Sequence, residues 1–259
     1  MNRRIDLEER KKIQLGMLQE IHEFCKTHGI RYSLSCGTLI GAIRHKGFIP
    51  WDDDVDLMMP LPDMLRLKKE LNSNSLKYID VSVRSDYDMP FPRIAYMPTY
   101  MKQGLAVKTY GVNIDIYPIT SLPDSKAEQD SFFEKAKALM ENRMRYIYWR
   151  NTLIKYLPIT TIPGFKHAIT RYQDYILFNG IEYGSTNYYY VHSGPIQNRQ
   201  IRTFNKDLFD TIIEVQFEKL YLNSIGCYDY YLTQLYGDYM QLPPENQRHP
   251  YHGGEFFWK

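Results

Sequence analysis

Apolar positions along the first quarter of the chain change period twice. From 6 to 28 they recur near helical spacing (Leu7, Ile13, Leu15, Leu18, Ile21, Phe24), with charges between them. Gly29 follows where a helix C-cap belongs, so the stretch predicts an amphipathic opening helix. "IRYSLSCG" (30–37) then alternates apolar and polar residues, the period of a half-buried strand ending at Gly37. "TLIGAIR" (38–44) suits a short helix packed closely through Gly41, and "HKGFIPW" is a loop marked by Gly47 and Pro50. "DDVDLMM" (53–59) predicts the next strand, stopped by Pro60, and 62–74 returns to helix.

Further on, "LKYIDVSVRS" (76–85) reads as a strand and "PFPRIAYMPTYMK" (90–102) as strand-rich chain interrupted by prolines. "GVNIDIYPI" (111–119) is a strictly alternating strand, closed by Pro118. A long helix over 124–157, basic and aromatic in its second half, precedes breaks at Pro158 and Pro163 and another helix over 165–179. The last third mixes short strands, "RQIRTF" and "TIIEVQFEKLYL", with a helix from about Tyr228 and a Pro/Gly-rich tail laid over the body. Neither an internal repeat nor a linker interrupts this order. The expectation is one α/β (α+β) domain over 1–259, with a mixed sheet flanked by helices within about 28–120 and a helical and tail portion over about 121–259.

Composition narrows the class. The 259 residues carry a net charge of +2, which gives no electrostatic reason to expect nucleic acid. The 23 tyrosines can fill a core or face a ligand, since each has an apolar ring and a polar tip. Cys25, Cys36 and Cys227 are odd in number and form no CxxC pair, so buried thiols are expected rather than a zinc or disulfide framework. The opening "MNRRIDLEERKK" has no apolar core of a signal peptide, and no run approaches the ~18 apolar residues of a membrane span. A cytoplasmic protein without a transmembrane segment is the expectation.

The least ordinary stretch is the acidic run Asp52, Asp53, Asp54 and Asp56. As a charged turn it needs no function; as a cation site it needs geometry. In a strand, Asp54 and Asp56 project to one face while Val55 and Leu57 face the core. Paired carboxylates there suit a hard divalent cation, Mg²⁺ or Mn²⁺. Asp115, flanked by Ile114 and Ile116, supplies a third acid if the two strands are neighbours. Gly37 and Thr38, at the start of a helix, offer close approach and amide donors to an anion, with Arg44 and Lys46 nearby. A metal-bearing strand facing such a turn is chemistry for a phosphorylated substrate.

"SCGTLIGAIRHKGFIPWDDDVDL", with "GVNIDIYPI" and "YDYYLTQLYGDYMQLPPENQR", resembles the LicD family, whose fold is nucleotidyltransferase-like. The resemblance implies metal-dependent transfer of phosphocholine, or a similar phosphoalcohol, from CDP-choline or another CDP-alcohol. The implied acceptor is a hydroxyl of a cell-surface glycan or its lipid-linked precursor. It maps Asp54, Asp56 and Asp115 onto the catalytic and metal-binding acids, with Asp115 completing the site or accepting the acceptor's proton. Gly37 and Thr38 would hold phosphate oxygens, Arg44, Lys46 and Trp51 would meet the substrate, and Asp52 and Asp53 would support the loop. Cys36 is not read as a nucleophile, and the zinc-binding cysteine loop of some fukutin-like relatives is missing. Nucleotidyl transfer and a non-catalytic glycan-binding role are the rival readings.

Three further features invite functional readings. Tyr228, Tyr230, Tyr231, Tyr236 and Tyr239 could cage a quaternary ammonium with Trp51 or Trp258. His249 and His252 share a tail better read as loop than as metal site. The stretch 141–156 would suit peripheral contact with the inner face of the cytoplasmic membrane if its aromatic stripe is not packed inward.

Overall fold

The structure is a computed structural model that describes residues 3–84, 87, 89–103, 106–153, 165–194, 196–250 and 254–259. Strand β1 (Arg4–Ile5) leads into helix α1 (Leu7–His28), then β2 (Ser33–Leu34), α2 (Cys36–Ile40), β3 (Asp56–Pro60) and α3 (Leu61–Glu70). Next come β4 (Leu76–Ile79), β5 (Arg93–Tyr96), β6 (Thr99–Gln103), β7 (Ala106–Lys108) and β8 (Asn113–Leu122). Helices α4 (Lys126–Leu153) and α5 (Phe165–Leu177) follow, then β9 (Tyr188–Val191) and β10 (Thr203–Asn205). The hairpin β11 (Ile212–Phe217) and β12 (Leu220–Ile225), helix α6 (Tyr228–Tyr236) and β13 (Glu255–Trp258) complete the order.

The expected mixed α/β architecture is present. Its main sheet runs β10-β9-β8-β3-β2, with β4 pairing β5 and β5 pairing β8. β3 and β8 are parallel, and the other pairings in this sheet are antiparallel. A second sheet, β1-β13-β6-β7, ties the last strand to the first, so the tail ends as an inner strand rather than a surface covering. Two strands of the main sheet, β9 and β10, come from beyond residue 120, so the sheet crosses the boundary drawn from sequence.

Local chemistry explains most boundaries. Asp6 caps α1 by accepting from the Glu9 amide at 2.8 Å, and Gly29 ends it in the left-handed conformation (φ 61°). The expected strand "IRYSLSCG" shrinks to β2, because Ser35 already precedes a helix that starts at Cys36 rather than at Thr38. The left-handed residue of this turn is Cys36 (φ 47°), not Gly37. Gly37 is needed for space instead, since a Cβ there would lie 2.8 Å from Asp52 Oδ2. α2 continues into one π-helical turn, Gly41–His45, and Lys46 leaves it in the left-handed conformation (φ 59°).

The expected strand from Asp53 begins only at Asp56, and "TIIEVQFEKLYL" is a two-stranded hairpin turning at Glu218 (φ 53°). Pro118 does not close its strand; β8 runs on to Leu122. Amides alternate sides along a strand: Asp115 donates to Val55 on the β3 side, and Ile116 to Pro92 on the β5 side. The missing N–H of Pro118 therefore faces the side where β5 has ended (Asp115) and β9 has not begun (Ile119). All ten residues of β8 are buried. Burial of each isoleucine among them, Ile114, Ile116 and Ile119, contributes about 1.5–3 kcal/mol. No helix among the described residues is long and apolar enough to cross a membrane.

Candidate active site

β3, β8 and β5 lie side by side, and their registers align three charged residues in one row. Asp56 pairs with Asp115 across the parallel β3–β8 ladder, and Asp115 pairs with Arg93 across the antiparallel β8–β5 ladder. The adjacency required for the third acid is thus met, although the row also contains a cation that the sequence reading missed.

Asp115 is held by protein groups on both oxygens. Arg93 Nε donates to Oδ1 at 2.6 Å and Nη2 to Oδ2 at 3.1 Å, while Asn113 Nδ2 adds a bond to Oδ1 at 2.8 Å. Burial opposes the Arg93 charge, but Asp115 outweighs it and raises the Arg93 pKa. Arg93 opens a short strand, "RIAY", between prolines, and only the β5–β8 register shows that it faces Asp115.

Asp56 is also buried, yet it forms no ion pair among the described residues. Tyr117, two residues beyond Asp115 on the same face, donates its hydroxyl to Asp56 Oδ1 at 3.0 Å. Thr38 Oγ1 accepts from the Asp56 amide at 2.9 Å, and the Ser35 amide donates to its carbonyl at 3.0 Å. Burial first, then the charges of Asp54, Cys36 and Asp115, push the Asp56 carboxyl well above the usual range; the Tyr117 bond works against them.

Asp54 precedes β3, so strand alternation does not orient it, but it joins Asp52 and Asp56 in lining a cavity of about 870 Å³. Oxygens of Asp52, Asp53 and Asp54 can be chosen to lie within 4.8 Å of one another, the closest such acidic grouping among the described residues. Helix α1 holds this loop: Arg10 Nη1 reaches Asp53 Oδ2 at 3.2 Å, and Lys11 Nζ donates to the carbonyls of Ile49 (3.3 Å) and Pro50 (2.8 Å). Arg10 also stacks 4.2 Å from the Phe256 ring centre. Arg10 and Gln14 occupy the buried stripe of α1 with Met17, Leu18 and Ile21, a polar interruption legible in the helical spacing.

The cavity has two walls. One comes from 36–56 and includes Gly37, Arg44 and Trp51; the other comes from 236–248 and includes Tyr236, Tyr239, Leu242, Pro243 and Arg248. Arg44 Nη1 ties the walls together through the carbonyls of Tyr239 (2.6 Å) and Gln241 (3.2 Å). Thr38, Lys46 and Asp115 do not line this cavity: Thr38 is buried against Asp56, and Lys46 is exposed with its carbonyl bound to the Glu218 amide.

Of the tyrosines considered for a cage, Tyr236 and Tyr239 line the cavity with Trp51. Tyr231 is fully buried, its hydroxyl 2.7 Å from Ser35 Oγ. Trp258 packs elsewhere, donating to Glu9 and meeting Tyr96 edge-on. His252 and residues 154–156 lie outside the described residues.

The family model described as LicD/FKTN/FKRP, nucleotidyltransferase domain, matches residues 29–153, which include the acidic row and the first cavity wall. Over 267 aligned residues the chain is 26% identical to a lipopolysaccharide cholinephosphotransferase, LicD, of Haemophilus influenzae, covering 96% of this chain and 97% of that protein. A shorter segment of 36 residues is 56% identical to the human ribitol 5-phosphate transferase FKRP, covering 14% of this chain and 7% of that protein.

Proposed function

With residues 29–153 belonging to the LicD/FKTN/FKRP nucleotidyltransferase domain family, we propose that this protein transfers a phosphoalcohol, phosphocholine in the first instance, to a glycan hydroxyl. The donor in this reading is a CDP-alcohol, and the acceptor is a cell-surface glycan or its lipid-linked precursor. The observation that carries the reading is Asp56, a carboxylate buried beside Asp54 at the edge of a large cavity without an ion-pair partner among the described residues. Phosphoalcohol transfer by the two named relatives supports the same reaction class.

The donor set is all oxygen, as Mg²⁺ or Mn²⁺ requires. Asp54 and Asp56 would hold the ion, with Asp52 within reach of Asp54. When bound, such an ion neutralises charge on the diphosphate and on the departing nucleotide. Tyr117 fixes one Asp56 oxygen, while Thr38 and Ser35 fix its backbone, so the carboxylate is aimed before substrate arrives. Gly37 leaves room for Asp52, and Arg44 keeps the two walls together.

The acceptor oxygen attacks the phosphorus that carries the alcohol. The phosphoanhydride bond breaks, CMP leaves with the bridging oxygen, and the hydroxyl proton passes to a carboxylate. Asp115 already spends both oxygens on Arg93, so its part is to anchor the strand row beside Asp56 rather than to take that proton.

The test is CMP release from CDP-choline, CDP-glycerol and CDP-ribitol with Mg²⁺ and candidate glycans, followed by the mass of the product. Acceptor mass rising by the phosphoalcohol, with loss of activity in EDTA, supports the reading. A rise by a nucleotide, or turnover untouched by EDTA, overturns it.

A further inference from the structure

Two cations, one in each cavity wall, have no carboxylate within hydrogen-bond distance among the described residues. Arg44, on the π-helical turn, spends Nη1 on two carbonyls and Nε on His45 Nε2 at 3.0 Å, and it forms no ion pair among the described residues. Arg248 enters from the far end of the chain. Its guanidinium lies 5.5 Å from the centre of the Trp51 ring, and its Nε donates to the Pro243 carbonyl at 2.9 Å. The carboxylate nearest it is that of Glu245, at 4.0 Å on a side chain 92% exposed. That is beyond hydrogen-bond reach, in solvent where such pairs contribute little. The Arg44 pKa is lowered, by burial first and then by the charge of Arg248, so the two guanidiniums sit close enough to repel.

Like charges facing one cavity raise the same question as the aspartates that line it. The arrangement becomes favourable when an anion lies between them, and a quaternary ammonium or a neutral sugar would not supply one. Contact with the Trp51 ring, 5.5 Å away, places the Arg248 guanidinium in advance, and the Pro243 bond fixes its Nε edge. The terminal nitrogens make no hydrogen bond among the described residues, and a planar guanidinium offers paired donors that match phosphate oxygens.

We propose that Arg248 binds the diphosphate of the donor, its terminal nitrogens taking phosphate oxygens where its wall faces Trp51 and Arg44. This assignment rests on the donor reading above. It makes Trp51 a platform for an arginine rather than part of a choline cage, and it gives the 236–248 segment a direct part in donor binding.

Calorimetry with CDP-choline, CDP, inorganic pyrophosphate and CMP, in Mg²⁺, on the wild type, Arg248→Gln and Arg248→Lys tests it. Arg248→Gln is expected to weaken the three diphosphates about 10- to 100-fold, the range of a lost charge-assisted bond. CMP binding should weaken distinctly less, and Arg248→Lys should recover part of the loss. In turnover, the donor KM should rise more than kcat falls. Equal losses for CMP and the diphosphates, or no loss, overturn the assignment. If Arg248→Gln melts lower than the wild type, Arg248→Lys decides alone by the same comparison. Wild-type binding of CDP and pyrophosphate but not of CDP-choline, CDP-glycerol or CDP-ribitol sinks the donor reading and leaves Arg248 standing as a diphosphate ligand. Undiminished CDP-choline binding by Arg248→Gln does the reverse, and a wild type that binds no diphosphate overturns both.

Discussion

Asp56 and Asp115 are register partners on adjacent parallel strands, similarly buried, and the molecule treats them in opposite ways. Asp115 has a bidentate arginine and an asparagine amide; Asp56 has one tyrosine hydroxyl and a neighbouring aspartate that raises its pKa. A buried charge that serves the fold is neutralised from within, because leaving it unpaired costs several kcal/mol. A buried charge left without such a partner beside a cavity is instead a place for something from outside. The difference separates an anchoring carboxylate from a ligand-binding one more sharply than the acid count of the sequence does.

The strongest way to break this comparison is Asp56→Asn. Transfer should fall about a thousandfold or more, roughly 4 kcal/mol of lost stabilisation in CMP-release assays. Stability should move the other way. The Asp56 pKa is raised in the folded state, so the stability it contributes is complete below the unfolded value near 3.8 and is lost as pH rises through the folded value. Metal-free Asp56→Asn should therefore melt higher than the wild type at neutral pH, and Mg²⁺ should raise the melting temperature of the wild type alone. A destabilised Asn variant would mean that Asp56 is as well satisfied as Asp115.

Arg93→Met addresses the other partner. It strands Asp115 in the interior and should destabilise the fold by about 3–5 kcal/mol in urea titrations, with Arg93→Met/Asp115→Asn regaining much of that loss. If the double variant is no better than the single, Arg93 acts through packing rather than through charge.

A third treatment of burial is to keep the group neutral, and His192 displays it. Burial lowers its pKa to about 3, with Thr120 Oγ1 2.8 Å from Nε2. The unfolded chain takes up this proton from about pH 6.5 downward while the folded chain does not. Stability is thus lost as pH falls from 6.5 towards 3, by about 1.4 kcal/mol per unit. His192→Gln should flatten the acid limb of the stability curve by that slope; an unchanged limb would show that the imidazole is protonated in place.

What could be read in advance follows from the range of the interactions involved. The opening helix, its Gly29 cap, the acidic run and the core-facing Val55 and Leu57 are local patterns, and each is present. The tie between β3 and β8 was legible because Asp115 is so out of place among isoleucines. Arg93 was not, because a basic residue between prolines reads as solvent-facing until the β5–β8 register is known. Pro118 misled because a proline stops a strand only where a neighbour needs its amide, and here the neighbours change at that point. The glycine turn was read as room for a ligand's approach, whereas the space at Gly37 is taken by Asp52 and Cys36 carries the positive φ. Tyr236 and Tyr239 were paired with Trp51 in advance, but the chain after them was taken for a tail covering the body, since its prolines declare no partner nearly two hundred residues earlier.

That wall falls outside the matched domain, whereas the acids fall within it. The acids and the second cavity wall are consequently written in separate stretches of the chain and meet only after folding. A change in 236–248 can alter the shape and charge of the cavity while leaving the buried acids of β3 and β8 in place.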